Sequence, residues 1–230
     1  MNKGISETIN AGSKCDAAVA KRVGAIEGME LQGKYIAELV GPREEVRAEY
    51  LLLRQELITA QNAGDDEKAS YIEAEMRSME EVKWNDEFCN LVTTVGKNKA
   101  LDEALAGSAY TAAWYMGLIS SVSYTTGPAA GDTMASHSGW TEAGPTNAPN
   151  YSEGARPTTA WSAAAAGSKS LSSALSFSIT ETGTVKGCFL ADNATKDGAT
   201  GILYSAGLFT GGDKAVGNGD TLNVSYTASA

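Results

Sequence analysis

The chain has 230 residues, a mass of 23.9 kDa and a net charge of −10 from 28 acidic against 18 basic side chains. That length can bury a sizeable core without staples, and no run approaches the about 18–20 unbroken apolar residues of a membrane span. The first ten residues lack the basic patch and apolar run of a secretory signal. An acidic chain with no basic stripe repels phosphate backbones, so neither a membrane nor a nucleic acid is expected as a partner.

Composition changes near Leu105. The first 105 residues carry 33 charged side chains and the last 125 only 13. In that second part Ala, Ser, Thr and Gly make up 73 of 125 positions, beside four of the five prolines, a mixture that disfavours helices and suits turns and short strands. Helices are therefore expected first, over 1–105, and β-structure second, over 106–230.

From Cys15 to Val40 the apolar residues fall at helical spacing, interrupted by Gly24, Gly28 and Gly33. Each glycine costs about 1 kcal/mol relative to alanine inside a helix, so order there is expected to depend on a partner. Pro42 suits a first helical turn. Beyond it Val46, Tyr50, Leu53 and Leu57 recur at steps of four, three and four among charged neighbours, which predicts an amphipathic helix. The run Ala63-Gly64-Asp65-Asp66 breaks the pattern, and an aspartate can cap a second helix with Ala69, Ile72, Met76 and Met79 on one stripe.

The two helices read as an αα-hairpin over about 43–83. Their narrow seam, Val46, Tyr50, Leu53, Leu57, Ile72, Met76 and Met79, suits burial between the helices, on their own domain or against further copies of the chain. After Phe88, the groups Leu91, Val92, Val95 and Ala100, Leu101, Ala104, Leu105 suggest two short helical segments divided by Gly96 and connecting the halves.

Period two dominates the second part, with strands expected at 115–124, 158–163, 171–179, 185–190, 202–209 and 222–226. Six short strands joined by turns such as Gly217-Asn218-Gly219-Asp220 are what a two-sheet sandwich or jelly roll requires. The stretch 127–156, with three prolines, reads as an elaborate loop or one short edge strand, a place where binding could sit. The expected class is thus α+β, an N-terminal helical region followed by an antiparallel β-sandwich of jelly-roll type.

Motifs for chemistry are weak. Cys15, Cys89 and Cys188 are odd in number and form no CxxC pair, so buried thiols are expected rather than a disulfide framework or a zinc cluster. One histidine, His137, argues against hydrolytic and metal chemistry near neutral pH. Gly28 to Lys34 matches seven positions of a phosphate-cradling loop, but Tyr35 stands where the hydroxyl that binds magnesium belongs. Asp132, Ser136, His137 and Ser138 are neighbours along one loop, whereas triads gather residues from separate parts of a fold. Asp132, Glu142, Glu153, Glu181 and Asp192 offer no defined carboxylate pair. Asp213 and Asp220 lie on glycine-rich turns without calcium-loop spacing. Trp114, Trp140, Trp161, Tyr151 and Tyr204 could line a sugar platform, although core filling and interface anchoring are commoner uses. No catalytic residue, metal or cofactor is expected; Trp140, Tyr151 and Trp161 are the candidate surface contacts.

Three phrases carry a resemblance: Asn90 to Asn98; Tyr115-Met116-Gly117-Leu118-Ile119 onward through Gly131 to His137 and Gly139 to Ala143; and Leu203 to Phe209 with Gly219 to Val224. Over about residues 88–230 the chain resembles small virion proteins of tailed bacteriophages, among which the jelly-roll members are capsid decoration, or cement, proteins. The resemblance implies a structural role on the outer capsid surface of the virion, after synthesis in the host cytoplasm. The partners would be the major capsid protein and further copies of the chain, as a dimer or trimer. The alternative is a head- or tail-fibre component whose β-domain recognises a receptor or a carbohydrate. The first 87 residues depart from the short pattern of that family as an added helical region.

Overall fold

The computed structural model describes residues 31–106, 114–166 and 168–229; Cys15 and the start of the Gly28–Lys34 run lie outside them. In chain order the elements are strand β1 (Gln32–Pro42), a 3-10 turn at Glu44–Val46, helices α1 (Arg47–Ala63) and α2 (Asp66–Met79), strands β2 (Glu80–Cys89) and β3 (Leu91–Val92), helix α3 (Thr94–Ala106), then strands β4 (Tyr115–Ser120), β5 (Thr141–Glu142), β6 (Ser168–Ser170), β7 (Leu175–Ser178), β8 (Gly183–Ala191), β9 (Leu203–Leu208), β10 (Lys214–Val216) and β11 (Thr221–Ser229).

They form two antiparallel sheets. One runs β2-β1-β11-β6, with β7 also on β11; the other runs β3-β9-β8-β4-β5, with β10 beside β8. The β-sandwich expected of the second half is present, but it begins earlier. β1 pairs along its length with β11, from Gln32↔Ser229 to Val40↔Thr221, and with β2 on its other side, from Lys34↔Cys89 to Pro42↔Glu80. The sheet thus spans the compositional break at Leu105, and the helical hairpin is an excursion between two neighbouring strands rather than a region preceding the sandwich.

The helical spacing read up to Val40 is corrected over β1, where the period is two. Tyr35, Ala37 and Leu39 are buried while Ile36 between them is 45% exposed. Aromatic and β-branched residues in a half-buried surface favour the pleat, and pairing on both edges decides the outcome. Gly33 lies in the same strand because Tyr226 crosses it, its hydroxyl 2.0 Å from where a Cβ would be. Leu91 and Val92 form a short strand on β9, and α3 passes through Gly96 unbroken, so the two expected short helices are also corrected. Gly96 is needed there for contact, since a Cβ would stand 2.3 Å from the Tyr204 carbonyl oxygen.

The main core draws from both sheets: Tyr35, Leu39 and Phe88 meet Met116, Leu118, Cys188 and Leu190, with Phe177, Leu222, Val224 and Tyr226. Successive side chains of a strand point to opposite faces, so Ile119, Phe189, Ala191, Leu203 and Ala206 form a second cluster, closed by Met134 and Trp140 from the long loop. That sheet is therefore covered on both faces, which is why β8 is buried almost throughout instead of alternating. Gly117 makes room for the Phe189 ring, whose nearest carbon lies 2.3 Å from a Cβ placed there. Among the expected strands, 158–163 contributes only isolated bridges at Thr158 and Trp161, and 127–156 carries the short strand β5.

Candidate functional site

The hairpin is built as its sequence spacing requires. Asp65 accepts the Lys68 amide at 3.1 Å and caps α2, and Gly64 at φ 71° ends α1 in the left-handed region that glycine enters without strain. All seven seam residues meet: Tyr50, Ile72, Met76 and Met79 are buried together, with Val46, Leu53 and Leu57 packed on them. The seam is filled by the chain itself. Outside it, Leu52 is 69% and Tyr71 71% exposed.

Two of the three candidate surface contacts require correction. Trp140 is 2% and Tyr151 1% exposed, so neither presents a ring to a partner; Trp161 is half-buried, edge-on to Tyr226 at 5.9 Å. Trp140 anchors the long loop to the outer cluster. Its indole N–H donates to Asp132 Oδ2 at 2.9 Å, its carbonyl oxygen lies 2.9 Å from His137 Nδ1, and the His137 ring stacks on it at 4.1 Å. Tyr151 packs edge-on against Phe177 and carries the Lys196 ammonium 3.6 Å above its ring centre. Burial pushes the Tyr151 hydroxyl up and the Lys196 ammonium down from their ordinary values.

Under this loop lies an ion pair that the spacing of carboxylates alone does not reveal. Arg156, with no side-chain exposure, donates from Nε to Glu142 Oε1 at 2.8 Å and from Nη2 to Oε2 at 2.7 Å. The guanidinium also donates to the carbonyls of Asn193 and Gly198, while the Asp197 amide donates to Glu142 Oε2 at 2.7 Å. Asp197 holds φ 56°, a conformation costly for a non-glycine residue. The pair joins β5, the long loop and the β8–β9 connection, with Arg156 over the Phe189 ring at 5.2 Å. Above it is a cavity of about 270 Å³ edged by His137, Thr141, Thr146, Asn147 and Asp197. The signal for it in the sequence is that Arg156 is the only arginine among residues 106–230.

A larger groove, about 590 Å³, lies where the hairpin meets the sandwich, lined by Arg47, Leu51, Lys83, Val216 and Asn218. At its base Asp220, 2% exposed, faces Lys83 Nζ at 3.0 Å and Arg47 Nη2 at 3.3 Å, and its Oδ2 accepts the Gly217 amide at 2.8 Å. Gly41 makes that seat possible, since a Cβ would fall 2.1 Å from Asp220 Oδ1. On the rim Glu44, its side chain 75% exposed, accepts from Arg47 Nε at 3.1 Å and Nη2 at 2.7 Å and lies 3.4 Å from Lys83 Nζ. The Arg47 hydrogen bonds, then the Arg47 charge, hold the Glu44 carboxyl below its ordinary value.

The remaining motifs resolve into structure. Lys34 is a strand residue ion-paired with Glu87 at 3.1 Å, not the end of a phosphate loop. Asp132 binds the Trp140 indole and the Ala129 amide rather than His137. Glu153 accepts the Ser178 amide, Asp192 accepts the Ile202 amide, and Asp213 pairs with Lys186 at 2.7 Å. No group of three or more His, Cys, Asp or Glu side chains among the described residues is arranged to hold a metal, and no described helix is long and apolar enough to cross a membrane. Cys188 is a buried thiol that desolvation pushes up from its ordinary value, whereas Cys89 is disulfide-bonded, which corrects the thiol expected of it. No family model matches the chain, and no curated protein matches it.

Proposed function

We propose that the chain is a structural virion protein of a tailed bacteriophage, made in the host cytoplasm and attached to the outer capsid surface, where it bridges neighbouring major capsid subunits. The sandwich is taken as a jelly-roll variant, and self-association as a dimer or trimer supplies several attachment points. The observation that carries this reading is an acidic hairpin with its own satisfied seam, inserted between two paired strands and presenting Leu52 and Tyr71 outward. Residues 43–83 hold 11 acidic and 6 basic side chains, suited to a basic docking surface. The resemblance of the 88–230 region to decoration proteins points the same way.

Such a protein works by adhesion. Binding the assembled shell but not its separated subunits stabilises the shell by mass action. A stable contact buries about 1,600 Å² in total, and an oligomer that engages two or three capsomers gains effective concentration beyond any single contact. The buried ionic groups fit this role, because Glu142 and Arg156 saturate one another within the fold.

The test is to mix the purified full chain with expanded, undecorated capsids and image them by cryo-microscopy. Added density is expected at symmetry-related positions on the outer surface. Its absence at saturating protein concentration overturns the proposal.

A further inference from the structure

The groove at the hairpin root holds an uneven set of charges. Asp220 is fixed at the base by the Gly217 amide and faces two cations, Arg47 and Lys83, which are 21% and 17% exposed. One buried carboxylate leaves one positive charge over. The Glu44 side chain neutralises it from solvent, at 75% exposure. Glu44 sits in the 3-10 turn, fills the Arg47 fork with both carboxylate oxygens, at 3.1, 3.1 and 2.7 Å, and lies 3.4 Å from Lys83 Nζ. Arginine's planar fork matches a carboxylate in that manner.

We propose that this groove is a receptor for a single carboxylate carried on an apolar group of the surface to which the protein attaches, and that Glu44 occupies the seat until that carboxylate displaces it. The partner's identity rests on the capsid reading above; the site itself does not. Leu51, Ala215 and Val216 line the groove beside the cations, so the carboxylate's carrier finds apolar contact. About 590 Å³ lies within the range of small-ligand sites. A monoanion fits the surplus of one positive charge. Phosphate, with about −1.5 to −2 at neutral pH, brings more charge than the surplus, close to Asp220. The carboxylate comes either from a chain terminus or from an acidic side chain, with the same chemistry in both cases.

The probes are an acetylated Ala-Ala-Leu peptide with a free C-terminus, an amide-capped peptide with an internal glutamate, an amide-capped Ala-Ala-Leu control, and inorganic phosphate. Each is titrated into the full chain and its Glu44→Gln variant by calorimetry. If Glu44 fills the seat nine-tenths of the time, freeing it tightens carboxylate binding about tenfold. Binding is lost in Glu44→Gln/Arg47→Leu. It is also weakened in Glu44→Gln/Lys83→Met, a variant that retains the fork, so the result does not hang on one substitution at the helix start. Preference for the free-ended or the internal-glutamate peptide supports the site and identifies the source. Equal binding of the neutral control, phosphate binding as tight as either carboxylate, or no gain in Glu44→Gln overturns it. Half-saturation of capsids by Glu44→Gln, measured separately, is expected to shift by the same factor. Peptide binding without any capsid binding leaves the site standing and removes the capsid reading.

Discussion

Arg156 and Glu142 show how a sandwich with few charges can still depend on one pair of them. Both side chains are withdrawn from water, at 0% and 5% exposure, and every donor of the guanidinium group that the geometry resolves ends on an oxygen of Glu142, Asn193 or Gly198. Desolvating two ions costs several kcal/mol each, so the pair is not a large net gain over an apolar replacement, but removing one partner strands the other. Arg156→Ala and Glu142→Ala are each expected to lower stability by about 3–5 kcal/mol. The double variant should lose less than the two singles combined, because neither charge is then left alone. Urea unfolding of the four proteins measures this, and strict additivity would show that the residues act independently. The pair is hard to read in a sequence because the 13 intervening positions are loop, with no periodicity to bring Glu142 and Arg156 into register. Trp140 and Tyr151 mislead for a related reason. An aromatic in a polar, proline-rich loop reads as exposed, and only the folded loop shows why both are buried: Trp140 covers the outer face of the second sheet, whereas Tyr151 enters the main core against Phe177.

At the scale of elements, the hairpin is the most legible part of the chain, since a 3.6-residue period and an aspartate cap are local properties. β1 is not, because its partners β2 and β11 are supplied from about 50 and 190 residues away along the chain, and Ala37, Leu39 and Val40 satisfy a short helical stripe as well as a pleat. The edge strand β2 leaves four of its ten residues exposed and carries a charge at five of the ten, so no apolar alternation marks it. The hairpin's seam forms a cluster separate from the two sandwich cores, and this separation has a measurable consequence. Met76→Asp places a charge where the side chain is 8% exposed, at a cost of a few kcal/mol. The expected result is loss of helical far-ultraviolet dichroism at a lower denaturant concentration than the loss of the near-ultraviolet signal from buried Trp140. Coincident transitions would instead make hairpin and sandwich one cooperative unit.

For the whole molecule, the register of β1 and β2 decides whether the hairpin belongs to the fold or is carried by it. Pro42 and Glu80 are directly paired, about 4.5–5.5 Å apart as opposed residues of an antiparallel ladder are, so the 37 residues between them enter and leave the sandwich at one point. A two-residue Asn-Gly turn spans such a gap in hairpins. Replacing residues 43–79 by that turn removes Arg47 and Glu44 together, which leaves Asp220 matched one to one with Lys83 and still bound to the Gly217 amide. No stranded charge results, and the main cluster loses none of its members. The shortened chain is therefore expected to fold into the same two sheets, with a cooperative thermal transition and β-type dichroism. If the helices are the gripping part, it should also fail to decorate capsids that the full chain covers. A shortened chain that aggregates or unfolds would make the helices a structural necessity. One that folds and still decorates would place attachment on the sandwich, where the 45%-exposed Ile36 and 55%-exposed Val82 would be the next side chains to replace.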